Sequence, residues 1–185
     1  MAEKKAKVAG SNRTRAESMA LLEDATMNLL LTNNPHALTV REIAEVAGVH
    51  FRYIPDYFGG KAELYASIYS RVAEEAADGL QFPFAAAVVD GVDPKIIRHA
   101  HLATWLSSNH PTGVPVSDRP IQRQLEQILT GQFGIGSATA AIVAERLIAL
   151  VIVLAAYPDV VSPNPINIRA HIELELKMLA AIAEK

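Results

Sequence analysis

LTVREIAEVAGVHFRYIPDYFGGKAEL, residues 38–64, fits two short helical patterns and two glycine breaks into a stretch too small to form a core of its own. Thr39 precedes an apolar run with Glu42 three positions on, so its hydroxyl can accept from an early helical amide while Glu42 reaches back to the Thr39 amide. A helix starts there. Ile43, Val46 and Ala47 recur at helical spacing, and Gly48 stands where a helix end favours a residue that tolerates positive φ. Val49 can bury under the bend, His50 can open a second helix, and residues 51–57 set aromatic and basic groups on it. The spacing predicts helix, tight turn, helix.

That layout lets a second helix enter the DNA major groove while the first crosses the phosphate backbone, although helical hairpins also occur as plain structure. The residues themselves narrow the choice. Leu-Thr-Val-Arg-Glu-Ile-Ala at 38–44, Ala-Gly-Val at 47–49, Ile54, Tyr57-Phe58, Lys61 and Leu64 closely resemble the DNA-binding domain of the TetR family of bacterial transcriptional regulators. The resemblance covers about residues 15–70. It implies an all-α, TetR-like chain: a flexible basic arm (1–14), a three-helix helix-turn-helix domain (15–62), and a larger helical domain (63–185) for effector binding and dimerisation. Carried over residue by residue, it gives Thr39 a phosphate and Arg41 a base edge. It sets His50, Phe51, Arg52 and Tyr53 at the exposed start of the recognition helix and makes Lys61 a phosphate clamp. Pro55 stands where the family usually has tyrosine. Proline there predicts a short or bent helix, with Tyr53 or Tyr57 replacing the usual tyrosine contact.

Charge agrees once it is divided along the chain. The net charge is −3, yet the first fifteen residues hold five Lys or Arg against one acidic residue. The positive field gathers at one end. The arm has two readings, a solubilising tail or a basic extension along DNA. With no cysteine, disulfides, thiol nucleophiles and cysteine metal sites are excluded. The N-terminus shows no signal-type apolar region, and the longest apolar run, residues 147–157, is too short for a bilayer, so the expectation is a cytoplasmic chain without a membrane partner.

Half the residues are hydrophobic and strand-like alternation is hard to find, which predicts helices throughout. The first should span about 15–32, and a longer one about 61–78 should join the two halves. A short helix is expected at 84–89, another from an Asp93 cap and Pro94 to about 108, and a third from Asp118 to about 129. Two long apolar helices finish the chain, about 138–156 and 165–183, the last capped by Asn164. Their apolar surface exceeds what one chain can cover, and the resemblance implies a homodimer built from them.

No nucleophile elbow, phosphate-cradling glycine motif or zinc pair is present, so no catalytic residue, metal or cofactor is assigned. His99 and His101 diverge by roughly 200° on a helix and cannot ligate one ion from one face. The helix carrying Trp105 is apolar around half its circumference. It is either a buried core helix or one wall of a cavity lined by Phe84, Ile97, Leu102, Trp105 and Leu125, with His101 or Thr104 orienting a small, mainly apolar effector. The functional expectation is a DNA-binding regulator, a repressor released from a palindromic operator by that ligand. The rival is a helical protein–protein interaction module that has lost DNA function.

Overall fold

The computed structural model describes residues 13–80, 92–115, 118–164 and 166–183, without the side chains of 179, 180, 182 and 183. The arm through residue 12, Phe84 and the expected helix at 84–89 therefore lie outside the described residues. Among those described, nine helices and no strand occur: α1 (Arg15–Leu29), α2 (Val40–Ala47), α3 (Tyr53–Phe58), α4 (Lys61–Asp78), α5 (Pro94–Asn109), α6 (Pro120–Phe133), α7 (Ser137–Ala156), α8 (Pro158–Val161) and α9 (Ile168–Ala183).

The helix boundaries follow from caps. Thr14 and Glu17 form a capping box at α1, Thr39 and Glu42 form one at α2, and the Asp93 carboxylate accepts from the Lys95 amide at α5. Three boundaries differ from expectation. α6 starts at Pro120 because Asp118 pairs with Arg123 at 2.9 Å instead of capping, and it runs through Gly131 to the left-handed Gly134. α9 is capped by Asn167, whose side-chain oxygen accepts from the Ala170 amide at 3.0 Å, in place of Asn164. α8 is a single turn that the sequence pattern did not announce.

α4 organises the packing. Leu64, Tyr65, Ile68, Tyr69 and Val72 join α1–α3 in one apolar core, while Ala76 and Ala77 enter a second core with Ile96 and Ile121. α5 lies along α4 and divides its side chains between these cores. Leu102, Ala103, Trp105 and Leu106 belong with the helix-turn-helix. Ile96 belongs with the second core, and a third core joins Leu129, Val143, Leu147, Ile172 and Leu176.

Arg98 fastens the same junction. Its side chain is buried, and its guanidinium donates to Met27 O at the end of α1 (3.0 Å) and to Glu75 of α4 (2.6 Å). Its Nε has no partner among the described residues. A buried guanidinium held this way fixes three helices at once.

α7 spans 20 residues and is the one described helix long and apolar enough to cross a membrane by length and composition. The expectation from the run 147–157 missed this because Glu145 and Arg146 interrupt the pattern. Only 28% of its apolar window is buried. Its inner residues Val143, Leu147 and Leu154 are buried, whereas Ile142 is 61% and Val153 45% exposed, and Leu174 and Met178 of α9 are exposed beside them. Arg146 pairs with Glu175 at 3.2 Å across the two helices.

Replacing Arg98 by methionine keeps the side chain's length and removes both bonds. We expect it to cost about 1.5–3 kcal/mol, the range for hydrogen bonds to a charged group. Urea unfolding measures it, and an unchanged midpoint would show that the latch contributes nothing.

Candidate nucleic-acid interface

The turn between α2 and α3 is fixed by backbone geometry. Gly48 takes the left-handed conformation (φ 63°) and its amide reaches Ala44 O and Glu45 O, so a side chain there would be strained. Val49 tucks against the core, and the chain passes through His50–Arg52 with the Tyr53 amide donating to His50 O at 3.0 Å. α3 then covers only six residues. Pro55 falls in its first turn, where an amide has no intrahelical partner to lose, so the proline sets a late start and leaves the helix unbroken. It is short, as the sequence predicted.

At this turn the side chains form two exposed clusters. His50 stacks on Phe51 with ring centres 4.7 Å apart, and the Arg41 guanidinium lies 5.4 Å from the Phe51 ring. Arg52 is exposed beside them, its amide donating to His50 Nδ1 at 3.3 Å. Tyr53 and Tyr57 stack at 4.8 Å, half-buried. Thr39 spends its hydroxyl on the cap, where it donates to Glu42 at 2.7 Å. That bond, and then the Thr39 amide, hold the Glu42 carboxyl below its ordinary pKa.

Two cations that sequence reasoning did not assign join the surface. Arg13 donates to Gly48 O at 2.7 Å, and Arg15 donates to Tyr57 O at 3.3 Å with its guanidinium 5.0 Å from the Tyr57 ring. The Thr14–Glu17 capping box between them was the available signal, because it fixes where α1 begins and so where these arginines stand. Among the described residues none of Arg13, Arg15, Arg41 and Arg52 forms a salt bridge.

Lys61, expected as a phosphate clamp, has its ammonium turned inward in this structure, where it donates to Pro35 O (2.7 Å) and Leu38 O, 5.2 Å from the Tyr65 ring and 5.3 Å from the Trp105 ring. Burial holds its pKa below the ordinary lysine value, partly offset by Glu42. An ammonium committed to two carbonyls ties the α1–α2 loop to α4.

With this geometry in view, comparison with known proteins is informative. Residues 22–68 match the family described as bacterial regulatory proteins, tetR family. That segment is a TetR-family domain, which supports DNA-binding transcriptional regulation. The described residues are all helical, with the helix-turn-helix followed by a larger helical part. Comparison with curated proteins finds no match. Among solved structures the chain is similar in fold to the TetR family repressor AlkX from Dietzia sp. strain DQ12-45-1b, implicated in biodegradation of n-alkanes. That likeness has 18% identity and a TM-score of 0.50, and it covers 93% of this chain and 98% of that one. A putative transcriptional regulator from Pseudomonas aeruginosa PAO1 is also similar, at 19% identity and a TM-score of 0.41, covering 94% of this chain and 95% of that one.

Beyond the matched segment, the cavity lies on the other side of α5 from the expected lining. Trp105 is buried in the helix-turn-helix core, edge-on to Tyr65 at 4.8 Å, and Leu102 is fully buried there. The His101 ring bonds Ala155 O at 2.9 Å, and Thr104 donates to Ala100 O. Among the described residues none of these, nor Ile97, lines the two cavities that meet at His99; Phe84 lies outside the described residues. Leu125 is the expected residue that does. It faces an apolar cavity of about 60 Å³ enclosed by α5, α6, α7 and α9, with His99 on its wall. His99 also lines a wider space of about 410 Å³, beside Tyr69, Arg119, Gln122 and Glu145. Its Nε2 lies 2.8 Å from the Tyr69 hydroxyl. Burial, and then the charge of Arg98, lower the His99 pKa to about 4, while burial raises that of Tyr69 to about 12.

Two outcomes follow. Lys61→Ala should lose about 1.5–3 kcal/mol of stability yet leave the salt dependence of DNA binding unchanged, whereas loss of a phosphate contact lowers the salt slope by about one unit. Titrations across salt decide; a flatter slope restores the clamp. His99 is depressed on folding, so the unfolded chain binds the extra proton between pH 6.5 and about 4 and stability falls with pH in that window. From pH 7 to 5 the wild type should lose about 2 kcal/mol more than His99→Gln. Unfolding curves at the two pH values test this, and equal losses would mean that His99 titrates normally.

Proposed function

We propose that the chain acts as a cytoplasmic, homodimeric repressor that a small, mainly apolar ligand releases from a palindromic operator. Residues 13–62 would carry DNA binding and residues 63–185 effector binding and dimerisation. The observation that carries the DNA reading is the exposed cluster of Arg41, His50, Phe51 and Arg52, flanked by Arg13 and Arg15, all on one turn and its neighbouring helix ends. Arg52 and Arg41 are the candidates for base edges, with Thr39, Tyr53 and Tyr57 for the backbone. The repressor sense rests on the habit of the family.

Support for the dimer is the apolar outer face of α7 with Leu174 and Met178 of α9, which two-fold pairing would cover. Support for release is the position of α5. One side of it carries His99 at the cavity, and the other carries Arg98 and Trp105 against α1, α4 and Lys61. A ligand that moves α5 acts on the helix-turn-helix through those contacts. A preference of about 10-fold to 100-fold for the non-binding state corresponds to roughly 1.4–2.8 kcal/mol, within the usual range of allosteric coupling.

Selection of bound DNA from random sequence is the deciding experiment. We expect a palindromic site. Arg52→Ala should cost about 1–3 kcal/mol and relax preference at one position per half-site. Val153→Glu should give monomers by sedimentation that bind that DNA weakly. A wild-type monomer at micromolar concentration would sink the dimer. No enrichment at low salt would favour the protein-interaction alternative.

A further inference from the structure

Among the described residues fifteen line the apolar cavity, and of these His99 alone has a polar side chain. The wider space next to it shares His99, Ile121, Ile148 and Ile152, and adds Tyr69 with the charged rim of Asp118, Arg119 and Glu145. The two spaces therefore meet at the Tyr69–His99 hydrogen bond. Taking the effector site proposed above as given, we infer that its ligand is an uncharged aliphatic compound bearing a hydroxyl group. Its hydroxyl enters between Tyr69 and His99, and its chain, too long for the apolar cavity of about 60 Å³ alone, runs along the shared Ile121, Ile148 and Ile152 into the wider space of about 410 Å³.

Charge is the first reason. A buried ion needs a counter-charge at hydrogen-bond range. Tyr69 and His99 are both held neutral by burial and supply none. Arg98, adjacent to His99 in sequence, repels a cation, and its own charge is taken by Glu75. On the rim, Asp118 is paired with Arg123, and Arg119 donates to Gln122 at 3.2 Å and faces the same space as Glu145. The rim thus presents both signs, and neither an anion nor a cation finds an excess of the other.

Hydrogen-bond arithmetic is the second reason. Whichever of Tyr69 and His99 donates, an inserted hydroxyl both donates and accepts and leaves the pair satisfied. A carbonyl only accepts, so it serves the pair only when His99 carries its proton on Nε2 and both groups donate to it, whereas a hydroxyl serves either tautomer. Insertion also has a structural consequence. The Tyr69–His99 bond joins α4 to α5, so a ligand that replaces it loosens the helix carrying Trp105 and Arg98 from the helix that supports α3.

Three eight-carbon probes differing only in the head group test the class: 1-octanol, octanoate and octylammonium, titrated calorimetrically into the full-length protein at neutral pH. We expect saturable binding of one 1-octanol per chain, at least tenfold tighter than either ion. His99→Phe and Tyr69→Phe, two independent variants, should each weaken octanol binding fivefold or more. Comparable or tighter binding of either ion overturns the uncharged class while leaving the cavity in place. Unchanged octanol affinity in a folded His99→Phe or Tyr69→Phe protein overturns the placement of the hydroxyl. No saturable binding of any probe removes the effector site itself, an outcome separate from the DNA selection.

Discussion

Burial along the whole length of α4 constrains everything else in the chain. Eighteen residues of helix extend about 27 Å, and Leu64, Tyr65, Ile68 and Val72 are fully buried on one stretch while Ala76 and Ala77 are buried on the next. No single layer of neighbours can cover a helix that long. α1, α3 and α6 pack against it, and α5 runs along it from Trp105 at Tyr65 to Arg98 at Glu75. The turn between α2 and α3 and the cavity are therefore both built on α4, and the apolar core of the helix-turn-helix is completed by side chains of α5. A shift of α5 has to be felt at the turn, because Trp105 and Arg98 have no other packing to move into.

The buried polar groups explain why this joint has a defined geometry. Apolar contacts alone tolerate sliding. Arg98 on Met27 O and Glu75, Lys61 on Pro35 O and Leu38 O, and Tyr69 on His99 are directional, and each joins elements far apart in the chain. Breaking any of them leaves a desolvated donor or acceptor. Of the three, the Tyr69–His99 pair is uncharged and borders a cavity, so it is the one a small molecule can exchange without leaving a buried ion uncompensated.

Local signals in the sequence were readable because they act over three or four residues. The Thr39–Glu42 box, Gly48 and the Asp93–Pro94 start carry their partners beside them, and so the helix-turn-helix and most helix limits were legible. Long-range partners were not. Trp105 sits on a helix wide enough in apolar surface to face either way, and only the fold determines that it meets Tyr65 and Lys61 while His99 takes the cavity. Lys61 was read from its place at a helix start, where an outward ammonium is natural; two loop carbonyls 23 and 26 residues earlier draw it in. Asn167 and Asn164 are equally good caps in sequence, and the chain's path after α8 selects the first.

The shortness of α3 bears on why so much apolar surface is left on α7. Six helical residues rise about 9 Å, and only His50, Phe51 and Arg52 stand fully exposed at its leading end. Each good base contact discriminates by about 1–3 kcal/mol, and specific binders are typically about 4–10 kcal/mol tighter on their site than on other DNA. Even with a base contact from each of the three, the total is roughly 3–9 kcal/mol, short of the upper end of that range. Two copies related by a two-fold axis double the discrimination without enlarging the helix. They require only an apolar face far from the DNA on which to pair. The exposed Ile142, Val153, Leu174 and Met178 form that face, on helices separated from α3 by α4 and α5. On the proposed pairing, the proline that keeps α3 short and the apolar length of α7 serve one end: each copy would read little sequence alone and gain specificity from the second.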